Sequence, residues 1–143
     1  MTAPRSRKES RKYKAYTKQT DPSVCRFCTI TPEDDQYVDS TEYFNIIKNA
    51  FPYSIWDSQR VVDHLMVTPK VHTDNLGSMS TDARLEYVAL LEKYEKQGYN
   101  IYARAPTSII KTIVHQHTHL IKTGGRPMRL LFLLHKPYIR LSM

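Results

Sequence analysis

Apolar residues along the chain fall into short runs broken by polar or turn-forming positions, with one longer stretch of helical spacing. Between Ser80 and Gly98, the residues Ala83, Tyr87, Leu90, Leu91 and Tyr94 recur three or four apart, which lines them along one face of a helix. Ser80 or Thr81 supplies the N-cap, Asp82 sits in the first turn where the helix dipole favours an acid, and Gly98 follows Gln97 as the stop. Residues 43–48 are aromatic and β-branched and read as a strand. Residues 60–68 read the same way, ended by Pro69. Asn49 to Gln59 contains Pro52, Tyr53, Trp56 and Asp57, a loop with aromatic anchors. Residues 99–104, 112–121 and 129–135 read as three further strands. About five strands, short connections and one main helix predict an α+β domain on a mostly antiparallel sheet.

The first twenty residues break this pattern. They have almost no apolar periodicity and carry seven basic groups against the single acid Glu9. Residues 1–20 are therefore expected to be a mobile, disordered basic arm, ahead of a single domain over 21–143. Charge is uneven in the rest of the chain as well. Residues 21–95 hold thirteen acids and six bases, and from Lys96 onward there are eight bases and no carboxylate. An acid-free third leaves a positive potential wherever it folds, which suits a phosphate-bearing ligand. A length of 143 residues is within the size of one domain and long enough to bury a core without disulfides. A charged fraction of 24% beside 41% hydrophobic residues argues against a wholly disordered chain. No run approaches a membrane span and the N-terminus has no apolar signal core, so a soluble, cytoplasmic protein is expected.

Two motifs carry chemistry. His115, His117 and His119 alternate in one strand-like segment, so the period-two pleat is expected to set all three imidazoles on one face. Half of the six histidines fall within five residues, a concentration that favours function over an incidental surface cluster. Cys25 and Cys28 form a lone C-x-x-C, open to a redox pair, half a zinc site, or two plain thiols. The thioredoxin-like context of a redox pair is missing. A tetrahedral zinc would need two more ligands, drawn from His64, His72, His115, His117, His119 and His135.

The triad, together with the stretch from Asp63 through His64, Pro69 and Lys70 to His72, strongly resembles the histidine-triad (HIT) superfamily of nucleotide hydrolases and transferases. The resemblance covers about Cys25 to Arg126 and rests on the order Cys-x-x-Cys, Asn-x-x-Pro, His-φ-φ-φ-x-Pro-Lys-x-His, helix, His-x-His-x-His. It implies a HIT-like fold and a hydrolase or nucleotidyltransferase acting at the α-phosphate of a nucleotide conjugate, of the phosphoramidate or dinucleoside polyphosphate class. By matched position His117 is the nucleophile, forming a nucleotidyl-histidine intermediate, a sensible role for neutral imidazole. His119 matches the contact to phosphate oxygens and leaving group, His64 an assisting residue, Asn49 the ribose contact and Thr112 a hydroxyl contact to phosphate. The zinc-binding branches imply a structural zinc on Cys25, Cys28, His72 and His115, pinning the N-terminal segment to the catalytic strand. The resemblance also implies a homodimer.

The departures are informative. Gln116 and Thr118 replace the hydrophobic residues that the family places between the triad histidines, so the opposite face is expected to be polar or in contact with another element. Arg104 and Lys111 make the rim more cationic than usual. Trp56 reads first as a loop anchor. The competing functional class is a HIT-fold nucleotide sensor whose basic arm engages nucleic acid with little catalysis. The intact set of four histidines favours the enzyme, since binding alone requires no nucleophile.

Overall fold

The computed structural model describes residues 5–19, 21, 23–109 and 111–127. In chain order these form α1 (Arg7–Gln19), β1 (Tyr37–Ser40), β2 (Phe44–Lys48), β3 (Ile55–Trp56), β4 (Gln59–Pro69), α2 (Thr81–Glu95), β5 (Tyr99–Ala103) and β6 (Thr118–Pro127). The strands make one antiparallel sheet in the order β1-β2-β4-β6-β5, with the short β3 paired to β4. The expected α+β architecture is present. Residues 129–135, read as a strand, lie outside the described residues.

Pleating gives the sheet two unlike faces. Phe44, Ile46, Leu65, Val67 and Leu120 point to one side and pack with Ala83, Leu90 and Tyr94 of α2. All five helix positions expected on the buried face do face the sheet, with Tyr87 and Leu91 at the margin. Ser80 Oγ accepts from Ala83 N–H at 3.2 Å to cap the helix. Gly98 adopts φ +84, which frees the chain to turn straight into β5. On the opposite face Ile47 and Met66 pack with Phe27 and Ile30, and this side carries the histidines. Between β3 and β4, Asp57 and Ser58 both have positive φ, the conformation of a two-residue hairpin turn matched to strand twist.

Two expectations need correction, and one strand had no signal in the sequence. The segment read as a mobile arm contains a helix, α1. Its basic residues are good helix formers, Ser6 Oγ accepts from Glu9 N–H, and Tyr13 and Tyr16, three apart, both pack on Phe51. Two aromatic rings in thirteen residues are too few to register as periodicity, yet they suffice to dock the helix. The second correction concerns 112–121. Regular strand begins only at Thr118, because the β4 ladder reaches just Val67↔Thr118 and ends at Pro69. His115 and His117 precede the strand, held instead by the Gln116 N–H bond to Thr73 O at 2.6 Å. Finally, β1 was not anticipated: its tetrapeptide Tyr-Val-Asp-Ser is too short and polar to signal itself.

Candidate active site

The four histidines come from two neighbouring strands and the segment that feeds one of them. His64 lies on β4 opposite Ile121, and His119 on β6 opposite Met66, so the two stand one diagonal step apart on the same sheet face. His64, His115, His117 and His119 are all buried. The three triad imidazoles do converge, though only His119 belongs to regular strand: the His117 and His119 rings are 5.0 Å apart, and Phe27 packs on both His115 and His117.

Hydrogen bonds fix the tautomers. The Tyr53 N–H donates to His64 Nδ1 at 3.1 Å, so the His64 proton resides on Nε2. That N–H points at His119 Nδ1, 3.0 Å away, and leaves the His119 proton on its own Nε2. His117 Nδ1–H donates to the His115 carbonyl at 2.8 Å, which leaves the Nε2 lone pair free. One ring therefore offers a lone pair and its neighbour an N–H. Burial keeps all three neutral. It pushes His64 down to about 3, with the nearby Arg5 acting in the same direction and Asp63 opposing. Burial, then the charges of His117 and His64, takes His119 to about 2. His117 is likewise held below the ordinary imidazole range by burial; its bond to the His115 carbonyl opposes this, and Lys111 and Arg104 reinforce it.

His117 and His119 open on a cavity of about 850 Å³ that also exposes Asn49, Thr112 and the rim cations Arg104 and Lys111. That is at the large end for a small-molecule site. Asn49 Oδ1 accepts from Phe51 N–H at 2.9 Å, and its amide nitrogen lies 3.2 Å from His64 Nε2. Thr112 sits exposed at the mouth. The expected polar contact behind the triad is also present: Thr118 meets the Tyr87 hydroxyl of α2 at 2.7 Å, and Gln116 accepts from Lys111 Nζ at 3.1 Å. Trp56, expected in a loop, belongs to the short strand β3, where it stacks with Tyr53 and is tilted against Tyr102. Tyr53 and Phe27 were not singled out as site residues in the sequence. Position after the Pro52 of Asn-x-x-Pro, and inside the C-x-x-C, were their only signals.

Behind the triad, Cys25, Cys28, His72 and His115 place one ligand atom each within 4.8 Å of one another. Cys25 Sγ is 3.3 Å and Cys28 Sγ 3.4 Å from His115 Nδ1, and Cys28 Sγ is 3.3 Å from His72 Nδ1. A tetrahedral zinc bound to two sulfurs and two nitrogens needs ligand atoms about 3.3–3.8 Å apart. The donor set fits that ion in both chemistry and spacing. His115 Nε2–H donates to the Pro69 carbonyl at 3.0 Å, which turns Nδ1 toward the thiols.

No family model and no curated protein matches the chain. Solved structures do. A HIT family hydrolase from Legionella pneumophila Philadelphia 1 superposes with a TM-score of 0.53 at 21% identity, covering 73% of this chain and 96% of its own. A hypothetical histidine triad nucleotide-binding protein from Sulfolobus tokodaii gives 0.57 at 23% identity, covering 82% and 81%. A zinc-bound histidine triad family protein from Mycobacterium smegmatis gives 0.53 at 21%, covering 73% and 79%. The chain has the histidine-triad fold.

Proposed function

We propose that the protein is a zinc-stabilised nucleotide hydrolase or nucleotidyltransferase of the HIT type. The observation that carries this reading is the pair of opposed ring atoms in one cavity: a free lone pair on His117 Nε2 beside the His119 Nε2–H, both rings neutral. In the proposed reaction His117 Nε2 attacks the α-phosphorus of a nucleotide conjugate. An N–P bond forms, the bond from phosphorus to the leaving group breaks with its electron pair, and the departing group takes a proton from water. His119 Nε2–H donates to the phosphate oxygens as charge builds, and His64, through its own Nε2–H, holds His119 in that tautomer. Water, or another acceptor, then displaces His117 and regenerates the free ring.

Asn49 is assigned to the ribose hydroxyls and Thr112 to a phosphate oxygen, positions supported by their place on the cavity wall. Arg104 and Lys111 at the rim favour a leaving group with negative charge, which supports the dinucleoside polyphosphate class beside the phosphoramidate class. Cys25, Cys28, His72 and His115 would hold zinc; a closed set of four protein ligands leaves no open position, so the ion serves structure. The neighbours named as hydrolases and the zinc-bound neighbour support the same reading. A homodimer completes the proposal. Among the described residues no helix is long and apolar enough to cross a membrane.

The test is the His117→Ala protein with adenosine phosphoramidate and a dinucleoside polyphosphate. Turnover should fall by at least about 10³-fold while the nucleotide product still binds. Rapid quenching of the wild type should trap the nucleotidyl group on His117. Wild-type turnover in the variant, or an adduct on another residue, would refute the mechanism.

A further inference from the structure

We propose that α1 is a recognition wall for the nucleotide, with Tyr13, Tyr16 and Phe51 packing on the base and Arg5 binding a phosphate oxygen. The helix lies outside the motif-bearing stretch from Cys25 to Arg126, so nothing in that sequence resemblance assigns it a role. It nonetheless lines the same cavity as His117 and His119. Arg5 Nε–H donates to the Phe51 carbonyl at 2.9 Å, and the guanidinium carbon rests 4.7 Å over the Tyr13 ring and 5.1 Å over the Tyr53 ring. Tyr53 in turn touches His64 and His119, with ring centroids 4.7 and 5.4 Å apart. Arg5 thus stands one ring away from the histidine pair.

The guanidinium has only one of its five N–H groups committed to a described partner, and no carboxylate lies within ion-pair distance among the described residues. A half-buried cation without a counter-ion, held in place by two aromatic faces, is preorganised for an anion from outside. The rings serve a different part of the ligand. Tyr13 and Tyr16 meet Phe51 at centroid distances of 5.3 and 5.0 Å, and all three remain half-exposed at the cavity. Phe51 is bonded through its N–H to Asn49, the residue given the ribose, so the aromatic wall begins where the base would leave the sugar. Such a wall offers an aromatic face to any base without hydrogen-bond readout.

This inference rests on the nucleotide reading above, and the experiment separates the two. Calorimetry with the full chain compares AMP, ribose 5-phosphate and adenosine. The Tyr16→Ala protein, which leaves the Tyr13 ring under Arg5, should bind AMP and adenosine about tenfold more weakly and ribose 5-phosphate as the wild type does. Arg5→Gln should weaken AMP and ribose 5-phosphate by a similar factor and spare adenosine, and Arg5→Lys should recover part of the loss. Ribose 5-phosphate binding in the tyrosine variant is also its folding control. Wild-type affinities in both variants, or an equal loss for all three ligands, would overturn the role of α1 and leave the nucleotide reading intact. A wild-type protein that binds neither AMP nor ribose 5-phosphate would overturn both.

Discussion

His64 shows how one buried ring can set both the chemistry and the acid sensitivity of the molecule. Its Nδ1 accepts a backbone N–H, its Nε2 faces His119, and burial holds it neutral down to about pH 3. In the unfolded chain the same ring takes a proton near 6.5. Between those values the unfolded state gains a proton that the folded state refuses, so this group's contribution to stability is full above about pH 6.5 and declines as pH falls. At pH 5 the loss from His64 alone should be about 2 kcal/mol relative to pH 7. Urea unfolding of the wild type and of His64→Gln at both values would show it: the variant should lose less on acidification. Identical losses would remove His64 as a source of the acid sensitivity. The alternation of His115, His117 and His119 marked these residues in the sequence, and their convergence follows. Their protonation could not be read there, because it depends on partners remote in the chain, the Tyr53 N–H for His64 and His64 for His119.

At the scale of elements, legibility tracked the number of apolar residues each element commits to the core. α2 puts five on the sheet and was readable to within two residues of its end; β2 and β4 were equally plain. α1 commits two rings, and β1 is a polar tetrapeptide, so neither could be seen. The feed into β6 was misread for another reason: alternation continues through His115 and His117, but the partner strand has run out. The replacement for that missing ladder is the cluster of Cys25, Cys28, His72 and His115, which ties the irregular segment to the chain before β1 and the loop after β4. Metal removal should therefore act on folding first. Chelation, or Cys25→Ser, should lower the melting temperature by about 10 °C, which at this chain length corresponds to about 3 kcal/mol. Turnover measured well below the new midpoint should stay near the untreated value, since a closed set of four protein ligands leaves the ion no open position for substrate. Metal analysis without zinc, or an unchanged melting curve for Cys25→Ser, would remove the metal from the account.

At the scale of the whole molecule, the described strands leave the sheet with two outer edges, β1 and β5. The strand order ends at β5, whose outer edge offers backbone donors and acceptors to no described strand. An open edge of this kind invites pairing with another chain. On the α2 side of that edge Ile101 is 39% exposed, and Leu85 and Val88 of α2 are exposed as well. Antiparallel pairing of β5 with its copy about a two-fold axis would continue the sheet, satisfy the edge and give these apolar side chains something to meet. Self-pairing also solves a geometric requirement, because a two-fold axis through the middle of β5 lets one surface complement itself. Each site would remain whole within its own chain, as the histidines, the ligand cluster and α1 all lie in or around one cavity. The proposed dimer is therefore a matter of stability rather than of site assembly. Sedimentation of the wild type at micromolar concentration should give twice the chain mass of 16.7 kDa. Ile101→Lys places a charge at the edge and should shift the protein toward monomer while its zinc content and nucleotide binding persist. A wild type that sediments as a monomer would refute the dimer, and an Ile101→Lys protein that stays dimeric would move the interface away from β5.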